Sequence, residues 1–272
     1  MSELLALLID TAIAAAAPIL DVYSRPIVAT RKADGSPVTE ADERAETVIL
    51  ERLAATAIPV LAEESVAAGR IPALDGRFFV VDPLDGTKEF LKRNGEFTVN
   101  IALVEAGRPG LGVVYAPATG ALYAGAADGA FAGKVEDDRL GERRPITVSL
   151  ADPFRIVASR SHGHAALGNL CQKFAVAEDV SVGSSLKFCL VADGTARLYP
   201  RFTPTCEWDT AAGQAVLEAA GGTVLTLDGA PLRYGHAERK FLNPFFVAAA
   251  SRELAESAAV EMRRLLAETA VD

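Results

Sequence analysis

Apolar residues in the first twenty positions fall three and four apart, at Leu4, Leu5, Leu8, Ala12 and Ala15, which is the period of one helix face. Glu3 and Asp10, with no basic residues ahead of them, exclude a secretory signal, and no uninterrupted apolar run predicts a bilayer span. Residues 31–37 are rich in turn formers. Thr39 then reads as the N-cap of a helix to about residue 55, with Asp42 at the capping-box position. Apolar β-prone runs predict strands over 59–62, 77–82, 97–104, 111–115 and 121–125. The short turns between the last three predict an antiparallel meander. Pro83 cannot donate to a ladder, so the strand from Arg77 is expected to end at Asp82.

Residues 134–145 are polar and charged, without an apolar period. They divide the chain into an N-terminal half, 1–145, and a C-terminal half, 146–272. The second half alternates differently. Strands are expected near 155–159, 180–182, 196–199, 223–227 and 245–250, with helices ending near 174, 192, 220 and 268. The fold class is therefore α+β and layered, with an antiparallel sheet in the first half and a mixed sheet in the second.

Composition narrows the function. Half of the 272 residues are hydrophobic, enough for a sizeable core, and the formal charge of −9 argues against a nucleic-acid polymer as partner. A small phosphorylated ligand remains compatible, because metal ions invert the local sign of a carboxylate-rich site. Cys171, Cys189 and Cys206 are odd in number and lack CxxC spacing. They point to a reducing compartment rather than to disulfides or zinc.

The chemistry concentrates in Val80-Val81-Asp82-Pro83-Leu84-Asp85-Gly86-Thr87. Asp82 and Asp85 lie three apart on a turn shaped by Pro83 and Gly86, with the Leu84 carbonyl between them. Hard oxygen ligands of this kind suit Mg²⁺ shared with a substrate phosphate. The amides of Gly86 and Thr87 open a helical turn, a setting that favours phosphate. Glu63 ends one predicted strand, and Asp209 begins a predicted helix where its carboxylate would also serve as a cap. Each of these residues has an ordinary structural reading by itself. Together, at the ends of separate elements, they have the pattern of a metal-assisted phosphoryl-transfer site. His162 and His164 sit in a polar turn and are poor ligands for Mg²⁺. No serine has the partnered histidine of a serine hydrolase.

Glu63-Glu64-Ser65, Asp82-Pro83-Leu84-Asp85-Gly86-Thr87 and Trp208-Asp209-Thr210-Ala211-Ala212-Gly213 resemble, in order and spacing, the three signatures of the inositol monophosphatase superfamily. Thr87-Lys88-Glu89-Phe90, Gly95 to Asn100, Ser181 to Phe188 and Leu198-Tyr199-Pro200-Arg201 are similar to the 3'(2'),5'-bisphosphate nucleotidases of the CysQ type. The resemblance implies a layered αβαβα sandwich and a phosphatase with two or three Mg²⁺ per site. It implies Glu63, Asp82, the Leu84 carbonyl, Asp85 and Asp209 as metal ligands, and Thr87 with Glu63 as holders of the attacking water. Asp42 would lie near a third, weaker metal, Lys32 on a loop near the substrate phosphate, and Glu64 behind Glu63. Gly86, Thr87, Ser184, Ser185, Lys187, Arg201 and Asp209 would face the substrate, with Arg160 and His162 toward the nucleoside.

The implied reaction releases the 3'-phosphate of adenosine 3',5'-bisphosphate, as in the recycling of that nucleotide during sulfur assimilation, and would be sensitive to lithium. The alternatives are an inositol or sugar monophosphatase and a catalytically inactive metal- or nucleotide-binding regulator. A cytoplasmic monomer or homodimer without a transmembrane segment is expected, with a peripheral place at the inner membrane left open.

Overall fold

The structure, a computed structural model, describes residues 2–32, 35, 37–159 and 165–269. The chain opens with α1 (Glu3–Tyr23), whose first turn is capped by Ser2, the Oγ accepting from the Leu5 amide at 3.2 Å. A hairpin of β1 (Ala29–Arg31) and β2 (Pro37–Thr39) flanks the turn-rich loop. It leads into α2 (Glu40–Leu53), where the Thr39–Asp42 capping box is formed. Then come β3 (Val60–Ala62), α3 (Glu63–Ala67), β4 (Arg77–Asp85) and α4 (Thr87–Leu91). The meander is β5 (Thr98–Glu105), β6 (Arg108–Ala116), β7 (Ala121–Ala126) and β8 (Gly129–Glu136), followed by β9 (Arg139–Leu140) and β10 (Arg144–Ile146).

The remainder runs β11 (Arg155–Ser159), α5 (Ala165–Lys173), β12 (Glu178–Val182), α6 (Leu186–Ala192), β13 (Leu198–Arg201) and α7 (Ala211–Ala219). It closes with β14 (Thr223–Thr226), β15 (Phe246–Ala249) and α8 (Arg252–Thr269).

The first sheet has the order β10-β8-β7-β6-β5-β4-β3, with β9 paired to β8; it is antiparallel except where β3 runs parallel to β4. The second has the order β12-β11-β13-β15-β14 and is mixed, parallel around β11 and antiparallel around β15.

Strand periodicity turns this chain into five layers. Phe79 and Val81 of β4 face a core with Leu8 and Ile19 of α1 and Ile49 of α2. Their neighbours Phe78 and Val80 face the opposite way, into a core with Phe188 of α6, Val216 and Leu217 of α7, and Phe246 and Ala248 of β15. The other face of the second sheet, with Ile156, Leu198 and Val247, packs on Leu170 of α5 and Met262 and Leu265 of α8. The order is thus αβαβα, with α6 and α7 between the two sheets. The middle layer lies tight on β6. A Cβ on Gly112 would sit 2.4 Å from the Ala212 carbonyl oxygen, so only glycine admits α7 there.

Four sequence expectations need correction. β4 does not stop at Asp82: it runs on to Asp85 through a bulge, Asp82 pairing with Asn100 and Asp85 with Thr98. A proline at a bulge leaves the ladder intact around it. Residues 134–145 are not a polar connector, since the end of β8, β9 and the start of β10 lie in them and stay paired in the first sheet. One regular helix does not begin at Trp208: Asp209 lies in a turn before α7, with Thr210 at its N-cap. Finally, α1 is long and apolar enough to cross a membrane, but most of it is buried inside the fold as a core helix.

Candidate active site

The site lies where β3, β4 and the approach to α7 end near one another. Asp82 and Asp85 sit on either side of the β4 bulge, and Gly86 after them holds φ at 92°, open to glycine. One carboxylate oxygen from each of Asp82, Asp85 and Asp209 lies within 4.8 Å of the others. Asp82 Oδ1 accepts from the Leu84 amide at 3.0 Å, and Asp209 Oδ2 from the Cys206 amide at 2.8 Å. Asp85 Oδ2 accepts from Ser185 Oγ at 2.9 Å and from Asn100 Nδ2 at 3.2 Å. These bonds fix the three carboxylates without neutralising them.

Electrostatics show the strain of that assembly. Burial, then Glu63, Asp85 and Asp209, pushes Asp82 well above the usual carboxylate range. Burial, then Asp85 and Glu63, raises Asp209 to about 7. Burial also raises Asp85, against the pull of Lys187, and Glu63, against the pull of Lys32. Clustered like charges in a buried place require a cation or protons. A hard divalent cation with oxygen ligands matches this donor set.

Further acids from α2 and α3 stand beside these three. Lys32 Nζ donates to Glu63 Oε1 and to Glu64 Oε1, both at 2.6 Å. Burial opposes the Lys32 charge, but the two glutamates outweigh it and hold the ammonium above its ordinary value. Burial lifts Glu64 to about 7 and Asp42 to about 6. Asp42 Oδ2 takes the Thr39 amide at 2.8 Å, while its Oδ1 lies 3.2 Å from Thr87 Oγ1. One turn along α2, buried Glu46 accepts from the Glu64 amide at 2.8 Å and from Ser65 Oγ at 2.6 Å. One helix therefore spaces the Glu63 turn from the Thr87 turn.

A family model for the inositol monophosphatase family matches residues 1–267. The chain belongs to the inositol monophosphatase family. It is 50% identical over 232 residues to the 3'(2'),5'-bisphosphate nucleotidase CysQ of Shigella flexneri, covering 84% of this chain and 92% of that one. Among solved structures, CysQ from Bacteroides thetaiotaomicron superposes with a TM-score of 0.77 at 38% identity, over 92% of this chain and 98% of that chain. An inositol monophosphatase from Anabaena gives 0.74 at 26% identity, over 96% and 95%. The resemblance read from the motifs and the layered architecture are both borne out.

The expected residues are placed unevenly. Asp82, Asp85 and Asp209 come together, and Glu63, the first residue of α3, lies near enough to raise Asp82 and Asp209 while tied to Lys32. Ser184 has a positive φ of 48° and opens the turn into α6. Ser185 spends its hydroxyl within the protein, on Asp85 and the Asp209 carbonyl. Lys187 is buried and donates to the carbonyls of Ser184 at 2.5 Å and Val182 at 3.4 Å. Arg201 donates to the carbonyls of Thr203 and Pro204, each at 3.0 Å. Arg160, His162 and His164 lie outside the described residues. Sequence reasoning gave no role to Asn100 or Glu46. Glu46 had a signal: it falls four residues after Asp42, beside the buried stripe of Ala41, Ala45 and Ile49.

Proposed function

We propose that this chain hydrolyses the 3'-phosphate of adenosine 3',5'-bisphosphate to give AMP and phosphate. The observation that carries the reading is the Asp82, Asp85 and Asp209 cluster in a chain half identical to a bisphosphate nucleotidase. Glu63, Asp82, the Leu84 carbonyl, Asp85 and Asp209 would hold two or three Mg²⁺. The bound ions would lower the pKa of water and neutralise the transferring phosphoryl group.

Around that chemistry the protein would place a proton path. Thr87 has one hydroxyl proton, and the Asp42 carboxylate at 3.2 Å is the better acceptor than the Leu84 carbonyl at 3.4 Å. With its proton so committed, the Thr87 oxygen accepts from a water, and Glu63 accepts the second water proton. That pairing turns the water's lone pair toward phosphorus. The amides of Gly86 and Thr87 would meet the phosphoryl oxygens. Arg201 would attract the remote 5'-phosphate, Lys187 would hold the turn into α6 through the Val182 and Ser184 carbonyls, and Ser184 would face the sugar. The 1–145 half would carry most of the metal ligands, Asp209 would be added from the 146–272 half, and that second half would carry the specificity. Free thiols at Cys171 and Cys189 support a reducing, cytoplasmic setting.

The test is phosphate release with Mg²⁺ across a panel: adenosine 3',5'-bisphosphate, its 3'-phosphoadenosine 5'-phosphosulfate relative, inositol 1-phosphate and fructose 1,6-bisphosphate. The bisphosphate nucleotide is expected to be turned over fastest. Faster release from inositol 1-phosphate would favour the monophosphatase reading. No release from any of them would favour an inactive binding protein.

A further inference from the structure

We infer that Ser185 is a positioning residue for the metal site, joining a metal ligand from each half through one hydroxyl. This rests on the reading of Asp85 and Asp209 as metal ligands. Ser185 Oγ lies 2.9 Å from Asp85 Oδ2 and 2.8 Å from the Asp209 carbonyl oxygen, and it accepts from Asn100 Nδ2 at 2.9 Å. Ser185 and Asn100 are both almost fully buried. The two therefore form a closed unit: Asn100 donates to the serine oxygen and to Asp85 Oδ2, and the serine hydroxyl also reaches Oδ2.

The hydroxyl has one proton for two acceptors. Both acceptors lie within 2.9 Å, so the proton is shared between them, with the Asp85 carboxylate the stronger partner and the Asp209 carbonyl the weaker. Two donors on the same oxygen of Asp85 set the rotation of the carboxylate, and with it the direction of the other oxygen. Nothing comparable holds a free aspartate at a bulge, where the strand ladder is interrupted. The arrangement also fixes distance between halves. Asp85 ends β4 of the first sheet, whereas Ser185 starts α6 and Asp209 precedes α7, so the hydroxyl acts as a spacer between ligands that no strand connects. A hydroxyl so committed has little capacity left for a ligand, which sets Ser185 apart from its neighbour Ser184.

Asn100 adds a second argument. Its Nδ2 carries both contacts, while its buried Oδ1 has no hydrogen-bond partner among the described residues. Turning the amide over would set Oδ1 against the Asp85 carboxylate and the serine oxygen, which are both acceptors. The protein tolerates an orphaned oxygen, at a typical cost of about 1–3 kcal/mol, to keep both donors on Asp85 and Ser185.

The experiment measures Mn²⁺ binding by electron paramagnetic resonance on substrate-free protein, for wild type, Ser185→Ala, Asn100→Ala and the double variant. Loss of a partner that orients a metal ligand weakens affinity by about 10- to 100-fold. Each single variant is expected to fall in that range, and the double variant by less than the product of the two, because both act on one oxygen. KM for the bisphosphate, measured at saturating Mg²⁺, is expected to stay at the wild-type value. Wild-type Mn²⁺ affinity in Ser185→Ala, together with a raised KM, would overturn the inference and return Ser185 to the substrate. If Ser185→Ala fails to fold, Asn100→Ala decides by the same criterion: tight Mn²⁺ overturns the inference, weakened Mn²⁺ supports it. A wild-type protein that binds no Mn²⁺ and releases no phosphate sinks the metal reading itself, and this inference with it.

Discussion

The acidic cluster and the basic pair across from it differ in more than sign. Asp82 is buried and Asp85 and Asp209 are half-buried beside it, with all three carboxyls raised toward protonation. Their hydrogen bonds orient them but leave the charge repulsion standing. Lys187 and Arg201 already have partners, because each donates to two backbone carbonyls near its own place in the chain. The first region needs something from outside to be comfortable when ionised. The second is complete as it stands. A site announces its ligand through unrelieved electrostatic cost more clearly than through a count of suitable charges.

The comparison breaks first at Asp85. Asp85→Asn is expected to bring phosphate release down to background while the metal-free melting temperature holds or rises, since one of the repelling buried charges is gone. Near-normal turnover at ordinary Mg²⁺ would remove Asp85 from the ligand set.

Stability against pH sharpens the same contrast. Burial first, and neighbouring acids after it, hold Asp42 at about 6 and Glu64 and Asp209 at about 7, against ordinary carboxyls near 4. Between about pH 4 and 7 the folded metal-free protein thus binds more protons than the unfolded chain, and its stability grows as pH falls through that window. Mg²⁺ requires the ionised forms, so its stabilisation is greatest at the upper end. At a hundred times its dissociation constant the ion adds about 2.7 kcal/mol. Melting scans from pH 5 to 8, with Mg²⁺ and with chelator, read both arms. A chelated protein that melts higher at pH 8 than at pH 5 would contradict the buried-charge account. Phosphate release is expected to vanish in chelator and to be inhibited by Li⁺ and by excess Ca²⁺, whose looser shell misplaces water.

The basic region gives smaller and more selective effects. Arg201→Ala is expected to lower kcat/KM for adenosine 3',5'-bisphosphate by about ten- to a hundredfold, the scale of one charge-assisted hydrogen bond. A nucleoside 3'-monophosphate, which lacks the remote phosphate, is expected to lose much less. Equal losses on both would mean that Arg201 acts only by holding the Thr203–Pro204 turn that leads to Asp209. Lys187→Met leaves the Val182 and Ser184 carbonyls without their donor, and a stability loss of about 1–3 kcal/mol is expected by denaturant titration. Burial lowers the Lys187 ammonium to about 8, which still leaves it largely charged at neutral pH. Its effect on the two substrates is expected to be alike; a loss confined to the bisphosphate would make it a phosphate contact.

Much of this was legible in local pattern. The Thr39–Asp42 box, the helix periods and the meander came from spacing alone, because caps and periodic faces depend on neighbours within a few residues. The carboxylates at element ends were equally visible. Pro83 misled: the rule that it stops a ladder is local, whereas β5 keeps pairing with both sides of the bulge. Residues 134–145 misled for a related reason. Their polar pattern belongs to a two-stranded rim, β9 on β8, whose pairing depends on partners rather than on hydrophobic burial.

The sequence by itself determined which oxygen donors stand at those turns, a cluster able to hold a divalent metal, since residue type alone decides what oxygen is on offer. Tertiary structure decided how each polar group is used. Ser185 and Lys187 share one short segment of similar promise, yet the first is drawn to Asp85, one hundred residues away, and the second to carbonyls of its own turn. Glu46 supports the Glu63 turn across eighteen residues of separation from Glu64. A hydrogen bond is satisfied by whichever partner folding brings within about 3 Å, and that partner is chosen by sheet register and helix packing, which no short stretch of sequence contains.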